Sequence, residues 1–507
     1  MPKKRKEAVM AVNKGHLDEI DYALAEIAAL DAATTVVTEL ECERPTPRIH
    51  CSLTALDDDG FLLFGGEHFD GKKVRVYGDV FRLKFGRDRS AVWTKIISKN
   101  CPKARSSHQA VQCQELVYVT GGEFTNSTES HFNHFGDLWS FDPVRLQWKN
   151  LSAICKGCLP CPRSGHRAGV WGNCIVVFGG FNDLGKGCKY FNDVHFFDVK
   201  TCAWQKLVEN KNKSSSGQWP SPRSACGLVV LGDSVFIFGG YSRTGNSVDT
   251  GLNTDSRGRV HWDLWRLHLR TRQWESVNIK GPVPEPRAGF SMTGDSASSF
   301  VIFGGVHDEY TPDALISDFL DDLHRCHVET GSWEPVTVAT GGPQSRMGAC
   351  LLTHQGQLLL FGGKTDRDDR EVTLDDLWVS APAVAGPRLG AGAANGGQEG
   401  PAGHGRLERA TAVGFQAVQP LSPACAVWFC DDSDELAESS SGCATSEASD
   451  DDDNTLQAYR RQRRPGRGRT AVRFSSPTTS QEGWGDEDWP DPAGLSDRSS
   501  SSGGGRA

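Results

Sequence analysis

Three sets of residues have types and spacings that could do chemistry. Cys155, Cys158 and Cys161 form a C-x-x-C-x-x-C run, a spacing that can hold zinc or an iron–sulfur cluster when a fourth ligand joins. The run lies between Trp148 and Arg163, and no second C-x-x-C follows it, so it reads as loop thiols. His131 and His134 share a polar loop, but no cysteine or carboxylate arrangement completes a metal site there, and they read as surface histidines. The third set is six arginines, Arg48, Arg105, Arg163, Arg223, Arg287 and Arg346, most of them following a proline. Guanidiniums brought to one place would make a basic ring able to grip carboxylates in a bidentate way. The competing reading pairs each with a nearby aspartate or with backbone carbonyls as structural support. No G-x-S-x-G, H-E-x-x-H, P-loop or G-x-G-x-x-G lies in a strand–turn–helix context. The expected catalytic set, metal set and cofactor are therefore none.

The arginines are regular because the chain repeats. Six apolar runs each end in a glycine pair: Gly65-Gly66, Gly121-Gly122, Gly179-Gly180, Gly239-Gly240, Gly304-Gly305 and Gly362-Gly363. After each pair come an aspartate, an apolar residue and usually an aromatic, as in Asp137-Leu138-Trp139 and Asp263-Leu264-Trp265. A tryptophan closes five of the units: Trp93, Trp148, Trp204, Trp274 and Trp333. A period of about 60 residues is that of a stacked array rather than of independent domains.

One unit holds four strand-length segments bounded by turn residues, and so four antiparallel strands. The glycine pair ends the second strand where a Cβ would crowd the turn. The tryptophans suit seams between neighbouring sheets. A four-stranded sheet buries too little by itself, and radial stacking leaves only short edges. The expectation is an all-β, six-bladed propeller over residues 34–380, with repeats at about 48–97, 105–150, 163–207, 223–277, 287–336 and 346–380. The last unit lacks a closing tryptophan, and the β-rich run 34–40 (TVVTEL follows Thr34) is expected to supply its fourth strand and tie the ring shut. A seventh blade would need another glycine-pair unit, which the tail does not offer.

Residues 16–31 place Leu17, Ile20, Leu24, Ile27 and Leu30 at helical spacing, which predicts an amphipathic helix on the propeller rim. Residues 1–15 are a basic segment, in which 2–6 (PKKRK) reads as a nuclear import signal or as a solvated basic end. Residues 381–507 are rich in Gly, Ser, Ala and Pro and carry an acidic run at 450–453 and an arginine run at 460–469. Such composition does not offset chain entropy, so a disordered tail is expected. The net charge of -9 gives no global case for nucleic-acid binding, which the arginine run alone could support. No apolar stretch is long enough to cross a membrane. Cysteine, 16 of 507 residues, is too sparse for a disulfide scaffold. The expected location is cytoplasmic or nuclear.

The loops between second and third strands share one face: 123–136, 181–191, 241–261 and 306–320. They carry Phe132, Phe135, Phe181, Tyr190, Tyr241 and Tyr310. Exposed there, the rings would anchor a peptide or protein; folded back, they would cover their own sheets.

The glycine pairs, the Asp-Leu-Trp segments and the spaced tryptophans resemble kelch repeats, over about residues 17–378. The resemblance implies a kelch-type propeller, of the kind also found in galactose oxidase central domains, that works as a non-catalytic protein-interaction module. Some related propellers recruit substrates to ubiquitin ligases, and some are copper- or iron-dependent enzymes. With seven tyrosines no ligand set of the latter kind was found.

Overall fold

A computed structural model of the chain describes residues 38–98, 100–127, 132–183, 188–208, 219–243, 258–310, 315–368, 370–381 and 413–419. All regular structure among them is strand, arranged as a six-bladed propeller. The expected helix at 16–31 and the basic segment at 1–15 lie outside the described residues.

The second blade shows the pattern. Gln109–Cys113 lies innermost, followed by Leu116–Thr120, Leu138–Asp142 and Gln147–Asn150, each antiparallel to the next. Alternate residues face the neighbouring sheets, so Val117, Val119 and Phe141 are fully buried while the fourth strand keeps only Trp148 inside. The tryptophans fill the seams as expected. Trp148 packs on Phe64 of the blade before it, Trp274 on Phe178 and Trp333 on Phe238, with ring centroids 5.4, 5.6 and 4.8 Å apart. Trp93 of the first blade meets Phe361 of the sixth at 5.6 Å. Truncating one such ring to alanine typically costs about 3–5 kcal/mol.

The glycine pairs are required by contact. At Gly65 (φ +65°) a Cβ would stand 2.5 Å from the Arg105 carbonyl, and at Gly66 (φ +96°) 2.7 Å from the Cys51 Cβ. Past the pair, the second and third strands of each blade continue as a two-stranded ribbon, such as Phe181–Asp183 with Cys188–Tyr190. In the sixth blade they run on as Gln357–Arg367 and Arg370–Ser380 across a bulge at Phe361/Gly363. The ribbons stand together on one face, where the long loops were expected.

The closure expectation is corrected. The fourth strand of the sixth blade is Phe415–Ala417, paired antiparallel with Trp378–Ser380. The N-terminal strand, Thr38–Cys42, instead adds a fifth, outermost strand to the first blade by pairing with Ala91–Ile97. Burial gives the reason: Phe415 is 8% exposed and packs with Val301, Phe303 and Leu360, whereas Leu40 of the N-terminal strand is 49% exposed. The expectation of disorder across 381–507 is corrected over the same short stretch.

The Cys155 run is drawn out along the outer edge of the third blade. Lys156–Gly157 pairs parallel with Ala203 and Trp204, and the Cys158 amide donates to the Trp204 carbonyl at 3.1 Å. Among the described residues, no group of three or more His, Cys, Asp or Glu gathers as a metal would require.

Candidate functional site

The ribbon face is built from one residue per repeat. The residue after each glycine pair bridges the residue after each arginine: Glu67 with Ile49, Glu123 with Ser106, Phe181 with Ser164, Tyr241 with Ser224, Val306 with Ala288 and Lys364 with Met347. One position further along the chain, six backbone amides close a ring. His50 donates to Gly348, Ser107 to His50, Gly165 to Ser107, Ala225 to Gly165, Gly289 to Ala225 and Gly348 to Gly289, at 2.7–3.1 Å. All six have positive φ, including the non-glycines His50, Ser107 and Ala225. The mouth of the propeller is therefore held by covalent geometry and backbone bonds, which makes it a rigid platform.

The arginines belong to this framework. All six are buried, at 0–2% exposure. Each Nε donates to the carbonyl two residues earlier, and each Nη1 to the carbonyl of the first glycine of its pair, as Arg105 does to Lys103 and Gly121. In five repeats the guanidinium also grips the repeat's aspartate in two places: Arg105 with Asp137, Arg163 with Asp193, Arg223 with Asp263, Arg287 with Asp322 and Arg346 with Asp376. Of the two readings of the arginines, pairing within the blade is the one seen, and the open basic ring is corrected: these donors are spent inside the blades. Burial opposes ionisation of the aspartates, but the arginine bonds win and hold their carboxyls below the usual range, Asp263 at about 2. The aromatic two residues on explains the Asp-Leu-Trp pattern. Its ring N–H donates to the same carboxylate, as from Trp139, Trp265 and Trp378, at 2.6–2.8 Å. The first blade has Phe81 there, with no such donor. Its Asp79 stands 3.8 Å from Arg48 and turns to Lys95 at 3.2 Å.

The aromatic candidates divide. Phe135 lies on the Arg105 guanidinium, 4.0 Å from its centroid, so it covers its own blade. Phe132 is half-buried at the start of the ribbon strand Phe132–His134. Phe181, Tyr190 and Tyr241 come together: Phe181 stacks on Tyr190 at 5.8 Å, and Tyr190 meets Tyr241 edge-on at 6.1 Å. His134 of the second blade extends this row, 5.4 Å from Phe181. Tyr241 is buried, while Phe181 and Tyr190 are half-buried. Burial first, and then Tyr241, push the Tyr190 phenol well above its ordinary value. Tyr310 ends the strand Val306–Tyr310, but its side chain lies outside the described residues, as does His131.

Beside this row stand two carboxylates that the sequence reading missed. Glu67 takes a bond from His50 Nδ1 at 3.1 Å and from the Ser106 hydroxyl at 2.9 Å. Glu123 takes one from the Ser164 hydroxyl at 2.9 Å. Burial opposes ionisation of Glu67, but His50, Ser106 and Lys364 together draw its carboxyl below the usual value. Burial, with the neighbouring Glu67, pushes Glu123 up to about 7. The mouth thus pairs acceptors at Glu67 and Glu123 with a wall of rings at Phe181, Tyr190 and Tyr241. Glu67, Glu123, Phe181 and Tyr241 share one signal, the single position after each glycine pair, which varies from repeat to repeat while the framework around it does not.

The family model described as the KLHDC2/KLHL20/DRC7 Kelch-repeats domain matches residues 12–180, 153–257 and 250–384. Mouse Kelch domain-containing protein 1 is 27% identical over 290 residues, covering 54% of this chain and 66% of its own length. Human Kelch domain-containing protein 10 is 25% identical over 332 residues, covering 62% of this chain and 67% of its own length. Bovine Kelch domain-containing protein 3 is 27% identical over 263 residues, covering 52% of this chain and 62% of its own length. The matches thus span about two thirds or less of each relative. The solved structure described as Structure of YjhT aligns at a TM-score of 0.47 with 19% identity, over 66% of this chain and 96% of that one.

Proposed function

The chain belongs to the KLHDC2/KLHL20/DRC7 kelch-repeat family, and from that premise we propose that it is a non-catalytic protein-interaction module that takes a peptide segment of a protein partner at the mouth of its ribbon face. The observation that carries this reading is the aromatic row from His134 through Phe181 and Tyr190 to Tyr241, which joins three blades beside Glu67 and Glu123. Rings on a rigid platform lose little entropy on binding and bury large area, as interface anchors do. The two carboxylates suit the amide donors or a cationic side chain of the bound segment. Individual repeats, such as LLFGGEHFDGKK (residues 62–73) and HFGDLW (residues 134–139), resemble kelch domain-containing protein 4 in particular.

Two other readings remain proposals of lower rank. A substrate receptor for a ubiquitin ligase would use residues 16–31 as its adaptor helix, and those lie outside the described residues. A metal-dependent or redox enzyme on the same propeller is decided by elemental analysis of the purified chain.

The test compares the full chain with Phe181→Ala/Tyr190→Ala in affinity capture with mass spectrometry, followed by titration of the captured partner's purified peptide. With melting temperatures matched, the double variant is expected to bind at least about 30-fold more weakly, the loss of roughly 2 kcal/mol for a hot-spot anchor. Equal affinity of the two proteins would remove the mouth as the binding site.

A further inference from the structure

Among the described residues, no chain connection crosses the seam between the first and sixth blades. Two thiols meet there. Cys51 immediately precedes the innermost strand of the first blade, Ser52–Ala55, and Cys350 opens the innermost strand of the sixth, Cys350–His354. Their sulfurs are 3.6 Å apart although 299 residues separate them in sequence, and both are unbonded cysteines. The Cys350 thiol also lies 3.1 Å from the Cys51 carbonyl. Both residues are of intermediate burial.

The pair is asymmetric. Either sulfur can donate across the 3.6 Å contact, but the Cys350 S–H also reaches the Cys51 carbonyl. The bond with Cys350 and the charge of the buried Arg48 guanidinium draw the Cys51 thiol below its ordinary value despite burial. The same bond and burial raise Cys350 well above it. Burial raises the thiols of Cys42, Cys113, Cys226 and Cys326. Within the pair, Cys51 lies nearer the Arg48 charge in effect and stands 3.6 Å from a resolving sulfur, so it is taken as the nucleophile, because the thiolate is the reactive form.

We propose that Cys51 and Cys350 are a hydroperoxide-oxidised pair whose reversible disulfide closes the propeller ring covalently. The Cys51 thiolate attacks one peroxide oxygen. The O–O bond breaks, hydroxide leaves and takes up a proton as water, and Cys51 becomes a sulfenic acid, oxidised by two electrons. The Cys350 sulfur then loses its proton and attacks the Cys51 sulfur. The S–O bond breaks, and the departing hydroxide takes that proton as a second water. A small dithiol reverses the bond by thiol–disulfide exchange. A crosslink over so long a span restrains the unfolded chain strongly.

The experiment treats the reduced full chain with stoichiometric hydrogen peroxide, blocks remaining thiols, and maps peptides without reduction. The expected result is one peptide linking Cys51 to Cys350 and a melting temperature higher by about 5 °C, both reversed by dithiothreitol. Cys350→Ala is expected to leave Cys51 as a sulfenic acid that dimedone labels, with no thermal shift. Disulfides formed elsewhere, Cys51 recovered unoxidised, or no dimedone labelling in a folded Cys350→Ala protein would each overturn the proposal.

Discussion

At the scale of single residues, a repeated motif separates framework from face. In five repeats the buried arginine has its charge met by an aspartate and its remaining donors by carbonyls. Removing one member of such a pair leaves an uncompensated buried charge. Asp137→Ala should therefore destabilise the fold by about 3 kcal/mol. The first repeat is the internal control: Asp79 is 3.8 Å from Arg48 and lacks the indole donor that fixes its counterparts. Asp79→Ala should cost less than about 1 kcal/mol. Urea denaturation of the two variants checks the pair, and equal losses would mean that the bidentate geometry contributes little.

At the scale of elements, two outer strands have unequal duties. Phe415–Ala417 completes the sixth blade and brings Phe415 against Val301 and Phe303. Next to it, Val413 bridges Val338 in parallel. Thr38–Cys42 adds a strand to a first blade that already has four, and its Leu40 is exposed. A chain ending at Ala381 should therefore melt lower than one beginning at Glu43, because only the former loses a buried ring and leaves an innermost-to-outermost sheet incomplete. Thermal denaturation followed by tryptophan fluorescence measures both. The opposite order would return the closing role to the N-terminal strand.

At the scale of the whole molecule, the buried histidines set the response to acid. Burial first, and then Arg105, lower His108 from 6.5 to about 3; burial and Arg223 lower His261 to about 4; His166 falls with them. These groups are neutral in the folded chain, while the unfolded chain binds their protons below pH 6.5. Their contribution is complete above that value and is lost as the pH falls towards their folded values, with a slope of up to about 1.4 kcal/mol per pH unit for each. Glu123 acts in the opposite sense. Its folded value of about 7 lies above the ordinary 4.5, so its contribution is largest below 4.5 and is lost as the pH rises through 7. Three groups outweigh one, and the melting temperature should fall between pH 7.5 and about pH 5. Glu123→Gln should steepen that fall. A flat profile would mean that the histidines are protonated in the folded state.

The amino-acid sequence alone determined the number of blades, the four-strand unit and the seams. These follow from local rules repeated six times: glycine where a Cβ would collide, tryptophan where two sheets meet, alternation where one face is buried. It also marked Phe181, Tyr190 and Tyr241, whose offset in the repeat places them on the ribbon face. Only the tertiary structure decided which chain end closes the ring. Phe415–Ala417 is three residues long and carries no tryptophan, so its signal lies below that of the 34–40 run, and the choice rests on burial against a neighbouring blade distant in sequence. The same holds for the arginines, whose partners are 30–40 residues away, and for the meeting of Glu67, Glu123 and the aromatic row around one axis. Each charge pair forms only once its own repeat has folded, and the meeting of residues from several blades around one axis is a property of the closed ring.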